Sequence, residues 1–397
     1  MLTTKFVTGA VGFRLVLGSL LLLLVGPAQA SLISITDLVG EAHIGPSPIS
    51  LGLSKVWDGE TVNGVLYVVG SKDGQAALQS IDLTSGTPVV GTVQLLPSLN
   101  ANDLSGEIRK IGIVDGQPTF VGLSKDASGV FQGTTWTLSG SVTGTGQIDL
   151  PSSSANFDIS VGGIIVGQGS NDSAVVGKIG GQIQLLPHSE AFGNALSISE
   201  NGKWIVGSDG FGPAIYFSEN PSELDYSLRG ISLQTTSDGF LPDYFVKAIV
   251  DPTFGAVGIG HYFDSNIFGE GEAAWSLETG ALLRDFGIGS FLDAKLFGDS
   301  TVLMFNSPDY GYLTTLGNPN TMLLGSLIPG AVFGLPGGLF EGSVGVLAQD
   351  GTGTNFSVAS FNVSPTAVPE PSSIALLASS LLMCGLSFMR RRKLGSY

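Results

Sequence analysis

Short β-branched runs that end in glycine recur through the middle of this chain: Tyr67-Val68-Val69-Gly70-Ser71, Phe120-Val121-Gly122-Leu123-Ser124, Ile164-Ile165-Val166-Gly167, Trp204-Ile205-Val206-Gly207-Ser208 and Ala256-Val257-Gly258. The glycines are spaced 52, 45, 40 and 51 residues apart. Two degenerate copies, Thr301-Val302-Leu303-Met304-Phe305 and Val344-Gly345-Val346-Leu347-Ala348, continue the series. Each run has the length and residue types of a strand. A repeat of this period marks units that are each a small sheet and bury their faces only against their neighbours.

A second column follows the first. After each glycine come a polar turn and another apolar segment: Ala76-Ala77-Leu78, Thr134-Thr135-Trp136, Ala174-Val175-Val176, Ala214-Ile215-Tyr216 and Ala273-Ala274-Trp275. Two strands joined by a hairpin are the direct reading. Several units close with a further strand and a turn, as in Gln94-Leu95-Leu96-Pro97, Ile148-Asp149-Leu150-Pro151 and Gln184-Leu185-Leu186-Pro187. Three or four short strands per unit predict an all-β, β-propeller-like body over residues 31–366, with six to eight blades and seven as the count that fills the length. Glycine at 58 of 397 residues suits the tight turns between such strands.

The best copy, Ala195-Leu196-Ser197-Ile198-Ser199-Glu200-Asn201-Gly202-Lys203-Trp204-Ile205-Val206-Gly207-Ser208 followed by Ala214-Ile215-Tyr216-Phe217, resembles the bacterial extracellular repeat family called HAF, although the His-Ala-Phe word is absent. That resemblance implies a propeller-like fold and supplies no chemistry.

Both ends of the chain read as addresses. Lys5 and Arg14 precede an apolar block from Leu15 to Val25, and Ala28-Gln29-Ala30 places small residues where a signal peptidase reads, so residues 1–30 are expected to be a signal peptide cut before Ser31. At the other end Pro369-Glu370-Pro371 precedes an uncharged run over 372–389 and then Arg390, Arg391, Arg392 and Lys393. As a helix this run spans roughly 27 Å, close to the hydrocarbon thickness of a bilayer. The basic cluster would stay on the cytoplasmic side.

This three-part tail, 367–397, resembles the PEP-CTERM sorting signal of bacterial exported proteins. The resemblance implies that Pro369, Glu370 and Pro371 are the motif read by an exosortase, a membrane-embedded cysteine transpeptidase-like enzyme. It also implies that 372–389 is the transmembrane helix and Arg390 to Lys393 the cytoplasmic stop. The expected history is export, transient anchoring in the inner membrane, and release to the cell surface or extracellular matrix, where exopolysaccharide and other envelope components are the expected neighbours.

Six of the 17 basic residues lie in those two ends, which leaves 11 basic against 32 acidic residues in the body. Such a surface repels phosphate backbones, which excludes nucleic acid as a partner. It suits cations and neutral or basic glycans. The single cysteine, Cys384, sits in the apolar tail, so the body holds no disulfide.

No nucleophile elbow, zinc-protease motif or phosphate loop occurs, and no catalytic residue is assigned. His43, His188 and His261 fall in different units and read as surface or packing residues. The turns Lys72-Asp73-Gly74, Asn171-Asp172-Ser173, Asp209-Gly210, Asp238-Gly239 and Asp350-Gly351 offer oxygen ligands of the kind Ca²⁺ takes, but hairpin-turn chemistry accounts for them and no cofactor is assigned. Two classes of function follow: a non-enzymatic envelope or matrix protein that binds through loops of one propeller face, or a secreted hydrolase or lyase with an active site on the axis.

Overall fold

The computed structural model describes residues 43–44, 51–84, 89–145, 155–169, 172–188, 193–264, 269–297, 300–307, 310–323, 331–340, 343–350 and 356–362. The signal-peptide site at Ala28, Ala30 and Ser31, the motif Pro369 to Pro371, the helix 372–389 and the basic cluster Arg390 to Lys393 lie outside these residues. Among the described residues no helix is long and apolar enough to cross a membrane.

Among the described residues the strands form seven antiparallel sheets, taken up one after another along the chain. Each sheet begins with a strand at the centre of the molecule and adds strands outward. The seven inner strands are Lys55–Val62, Gly106–Val114, Ala155–Ile159, Asn194–Ile198, Tyr244–Asp251, Ser290–Phe297 and Ala331–Phe340. Successive inner strands lie side by side, and the last lies against the first, so the sheets close a ring. The seventh sheet is completed by the other end of the chain, because His43–Ile44 pairs with Phe356–Asn362 as its outermost strand. This is the β-propeller expected from the repeat.

The predicted strands find their places one position further out than the sequence suggested. The β-branched runs form second strands, such as Val65–Lys72 and Trp204–Ser208, and the Ala-aromatic segments form third strands, such as Phe131–Thr137 and Pro213–Phe217. The words Gln94–Leu95 and Gln184–Leu185 are outer strands that pair with the third. The inner strand of each sheet was not legible in the repeat.

The core consists of layers between neighbouring sheets. Trp136 is fully buried between the first and second sheets, Tyr216 between the third and fourth, and Trp275 between the fourth and fifth. Each indole N–H donates to a backbone carbonyl, Trp136 to Pro97 and Trp275 to Gln234, both at 2.7 Å, so neither indole donor is stranded. The two tryptophans are packing residues and offer no face to a sugar.

The recurrent glycine has one structural cause. In the first four sheets the register slips by one residue on the inner strand, at Val56/Asp58, Ile108/Lys110, Asn156/Asp158 and Ala195/Ser197, and the paired glycine lies against that bulge. A Cβ on Gly70, Gly122, Gly167 or Gly207 would stand 1.8–2.1 Å from the carbonyl oxygen of Lys55, Glu107, Ala155 or Asn194. Only glycine fits there. The fifth sheet departs from the expectation: its bulge at Phe245/Lys247 is opposed by Gly260, whereas Gly258 sits two residues away against Phe245 and Leu277.

Candidate functional site: a charged axial cluster

A bulge re-aims the side chain that follows it. The residues after the six bulges from the first to the sixth sheet are Asp58, Lys110, Asp158, Ser197, Lys247 and Asp293. They converge near the axis. Lys110 Nζ lies 3.1 Å from Asp58 Oδ1 and 3.1 Å from Asp293 Oδ2, while Lys247 Nζ lies 3.5 Å from Asp158 Oδ2 and 3.6 Å from Asp293 Oδ1. Ser197 Oγ donates to Asp158 Oδ2 at 2.5 Å. One step further along the inner strands Lys295 pairs with Glu60. The three aspartates are almost wholly buried.

The carboxylates also hold backbone. Asp58 Oδ2 accepts the N–H of Ile111 in the next sheet at 2.8 Å, and Asp158 Oδ2 accepts that of Ile198 in the next sheet at 3.1 Å. Asp293 Oδ1 accepts from Ala294 at 2.8 Å. Each aspartate is therefore satisfied by cations and peptide groups together, the condition under which a buried charge is tolerated.

Burial alone would raise the Asp293 carboxyl, but Lys110, Lys247 and Lys295 outweigh it and hold the group well below the usual carboxylate range. Burial would likewise lower Lys110, yet Asp293, Asp58 and Asp158 keep it well above the ordinary lysine value. For Lys295 the opposing charge is first of all Glu60, and the direction is again upward. Ammonium groups that stay protonated are poor nucleophiles, and a carboxylate held ionised, as Asp293 is, is a poor proton donor. The arrangement suits cross-linking of sheets.

Along the inner strands the cluster forms part of a cavity of about 280 Å³, walled by Glu60, Lys110, Asp158, Glu200, Lys247 and Lys295 together with aliphatic side chains such as Ile159 and Ile249. At the bulges themselves Trp57 donates from Nε1 to Glu107 at 3.2 Å, with Lys55 and Arg109 over its ring at 4.0 and 4.5 Å.

The residues weighed from sequence are scattered. His43 is in the outer strand of the seventh sheet, His188 in an exposed turn after the third sheet at φ +61°, and His261 in the second strand of the fifth. His261 Nδ1 lies 3.1 Å from Glu272 Oε1, its partner across the strand pair, and its ring lies tilted by 30° against that of Tyr244, 4.9 Å between centroids. Asp73-Gly74 adopts the paired positive φ of a tight hairpin, 52° and 82°, and Asp209 Oδ1 accepts two N–H groups of its own turn. Among the described residues no group of three or more His, Cys, Asp or Glu side chains is arranged to hold a metal ion.

The axial residues are hidden in the sequence because a charged residue in a strand reads as solvent-facing. A signal was nonetheless present. A lone Asp or Lys inside an apolar run, as in Phe157-Asp158-Ile159, Val246-Lys247-Ala248 and Leu292-Asp293-Ala294, recurs in the inner strands of the third, fifth and sixth sheets.

No protein-family model matches this chain, and no curated protein matches it in sequence. Solved structures that resemble it include TolB from Acinetobacter baumannii, at 12% identity over 74% of this chain and 79% of that one, with a TM-score of 0.37. The β-propeller domain of the Trilobed protease from Pyrococcus furiosus matches at 10% identity over 80% and 99%, TM-score 0.44. The polysaccharide lyase Uly1 matches at 10% identity over 83% and 96%, TM-score 0.45. These likenesses are distant, and the ring of sheets in this chain identifies its body as a β-propeller on its own geometry.

Proposed function

We propose that this chain is an exported envelope or extracellular-matrix protein, sorted by an exosortase, whose propeller serves a non-enzymatic binding or structural role next to exopolysaccharide. The observation that carries the sorting part is the order Pro369-Glu370-Pro371, uncharged run, Arg390 to Lys393 at the chain's end. The non-enzymatic part is supported by the axial carboxylates, which are occupied by lysines and backbone N–H groups. The alternative, a hydrolase or lyase, draws on the axial cavity with Glu60, Asp158 and Glu200 in its wall.

Replacing Pro369, Glu370 and Pro371 with alanines leaves the apolar run and basic cluster intact. In the native host a C-terminal epitope tag should be lost from the wild type and retained by the triple variant, which stays in the membrane. Equal retention by both would reduce the tail to a plain anchor. The purified protein should turn over no polysaccharide, ester or phosphoester, and turnover abolished by Glu200→Gln would establish the enzymatic alternative.

A further inference from the structure

The hairpin between the second and third strands of the fourth sheet is built to hold an aromatic ring in water. Asp209 Oδ1 accepts the N–H of Phe211 at 2.9 Å and of Gly212 at 3.1 Å, and the Asp209 N–H donates to the Gly212 carbonyl at 3.1 Å. Gly210 takes φ +88°, which closes the turn. Phe211, between two glycines, is 98% exposed. The turn does not require a ring, since Asn or Ser would serve it equally, and an aromatic held in solvent forgoes the burial that drives the rest of the fold.

Beside Phe211 opens a cleft of about 580 Å³ toward the fifth sheet, with Pro213, Leu241, Pro242, Asp243 and Tyr244 in its wall. Its size falls within the range of small-ligand sites. Leu241 is 49% exposed, so apolar surface continues from the ring into the cleft. The Tyr244 ring lies against that of His261, 4.9 Å between centroids, and the Asp243 N–H donates to the His261 carbonyl at 2.7 Å, which sets the cleft at the end of the fifth sheet. Among the described residues no Lys or Arg lines it, and the carboxylate in its wall is that of Asp243.

We propose that this cleft binds an oligosaccharide of uncharged or amino-bearing sugars, with Phe211 as the platform for a sugar's C–H face. Asp243 accepts from its hydroxyl or ammonium groups. A flat apolar ring next to exposed acceptors matches a pyranose, which presents an apolar face and an equatorial rim of donors. The acidic cleft, on a body with 32 acidic against 11 basic residues, disfavours uronate and sulfated chains. The proposal rests on the binding role above and gives it a site and a ligand class.

Isothermal titration of the full chain in detergent with cellohexaose, a chitosan hexamer and a hexagalacturonate tests it. The first two should bind and the third should not. Phe211→Ala should weaken binding at least tenfold with an unchanged melting temperature, Phe211→Trp should restore it, and Asp243→Asn should weaken the chitosan hexamer more than cellohexaose. The site falls if Phe211→Ala binds within twofold of wild type, if hexagalacturonate binds as tightly as the others, or if the wild type binds none of them. It falls equally if Phe211 instead mediates self-association that Phe211→Ala abolishes. Sugar binding that ignores Phe211 leaves the binding role standing and removes only this site, whereas conversion of a sugar to product removes the non-enzymatic role itself.

Discussion

Lys110 and Asp293, 183 residues apart in sequence, meet near the propeller axis with Nζ 3.1 Å from Oδ2. They come from the second and sixth sheets, so the contact ties together parts of the ring that share no strand pairing. Lys110 also holds Asp58, and Lys247 joins Asp293 to Asp158, which makes the cluster one network over five sheets. Its members are largely desolvated, so the loss of one removes part of the compensation of its partners.

Lys110→Met should therefore destabilise the fold by about 3–5 kcal/mol, the usual consequence of leaving a buried carboxylate, here Asp58, without its salt-bridge cation. Lys203→Met, which removes the exposed pair with Glu219, should cost less than about 1 kcal/mol. Urea unfolding of the two variants measures both. Similar losses would show that the axial pairs are as solvated as the surface one.

The bulge glycines admit an equally direct comparison. Gly207→Ala drives a Cβ into the Asn194 carbonyl, 1.9 Å away, and should destabilise by about 1–3 kcal/mol or more. Gly230→Ala meets nothing within 4 Å and should be neutral within about 0.5 kcal/mol. Thermal melts of both variants decide the matter, and a neutral Gly207→Ala would mean that the bulge is not fixed.

His261 is a histidine with a carboxylate partner across its strand pair. Its hydrogen bond to Glu272 raises its pKa above the ordinary 6.5, burial works against that, and Glu272, Glu270 and Asp243 add attraction. A raised folded-state value places the stabilising contribution fully below about pH 6.5 and removes it as the pH climbs through the folded pKa. NMR titration should find the His261 pKa above 6.5 in the wild type and lower in Glu272→Gln. The urea midpoint should fall between pH 6 and pH 9 by more in the wild type than in that variant. Identical pKa values in the two proteins would dismiss the pair.

The sequence by itself determined the propeller. A glycine is demanded wherever a second strand lies against a bulge, and that local steric rule writes Gly70, Gly122, Gly167 and Gly207 into the chain at blade intervals. The Ala-aromatic strands were legible for a similar reason, since Trp136 and Trp275 fill the space between sheets and local pattern suffices to mark them. What only the tertiary structure decided is the inner layer. Asp58, Lys110, Asp158, Lys247 and Asp293 look like surface residues in any local window, because a charge is buried only when its partners arrive from distant sheets. Phe211 follows the legible turn Asp209-Gly210, but whether its ring packs or stays in water is settled only in the folded chain. It is left in water because Asp209 and two glycines fold the turn beneath it. Closure of the ring brings charges from five sheets together, and no sequence window shorter than the whole body contains the information that they meet.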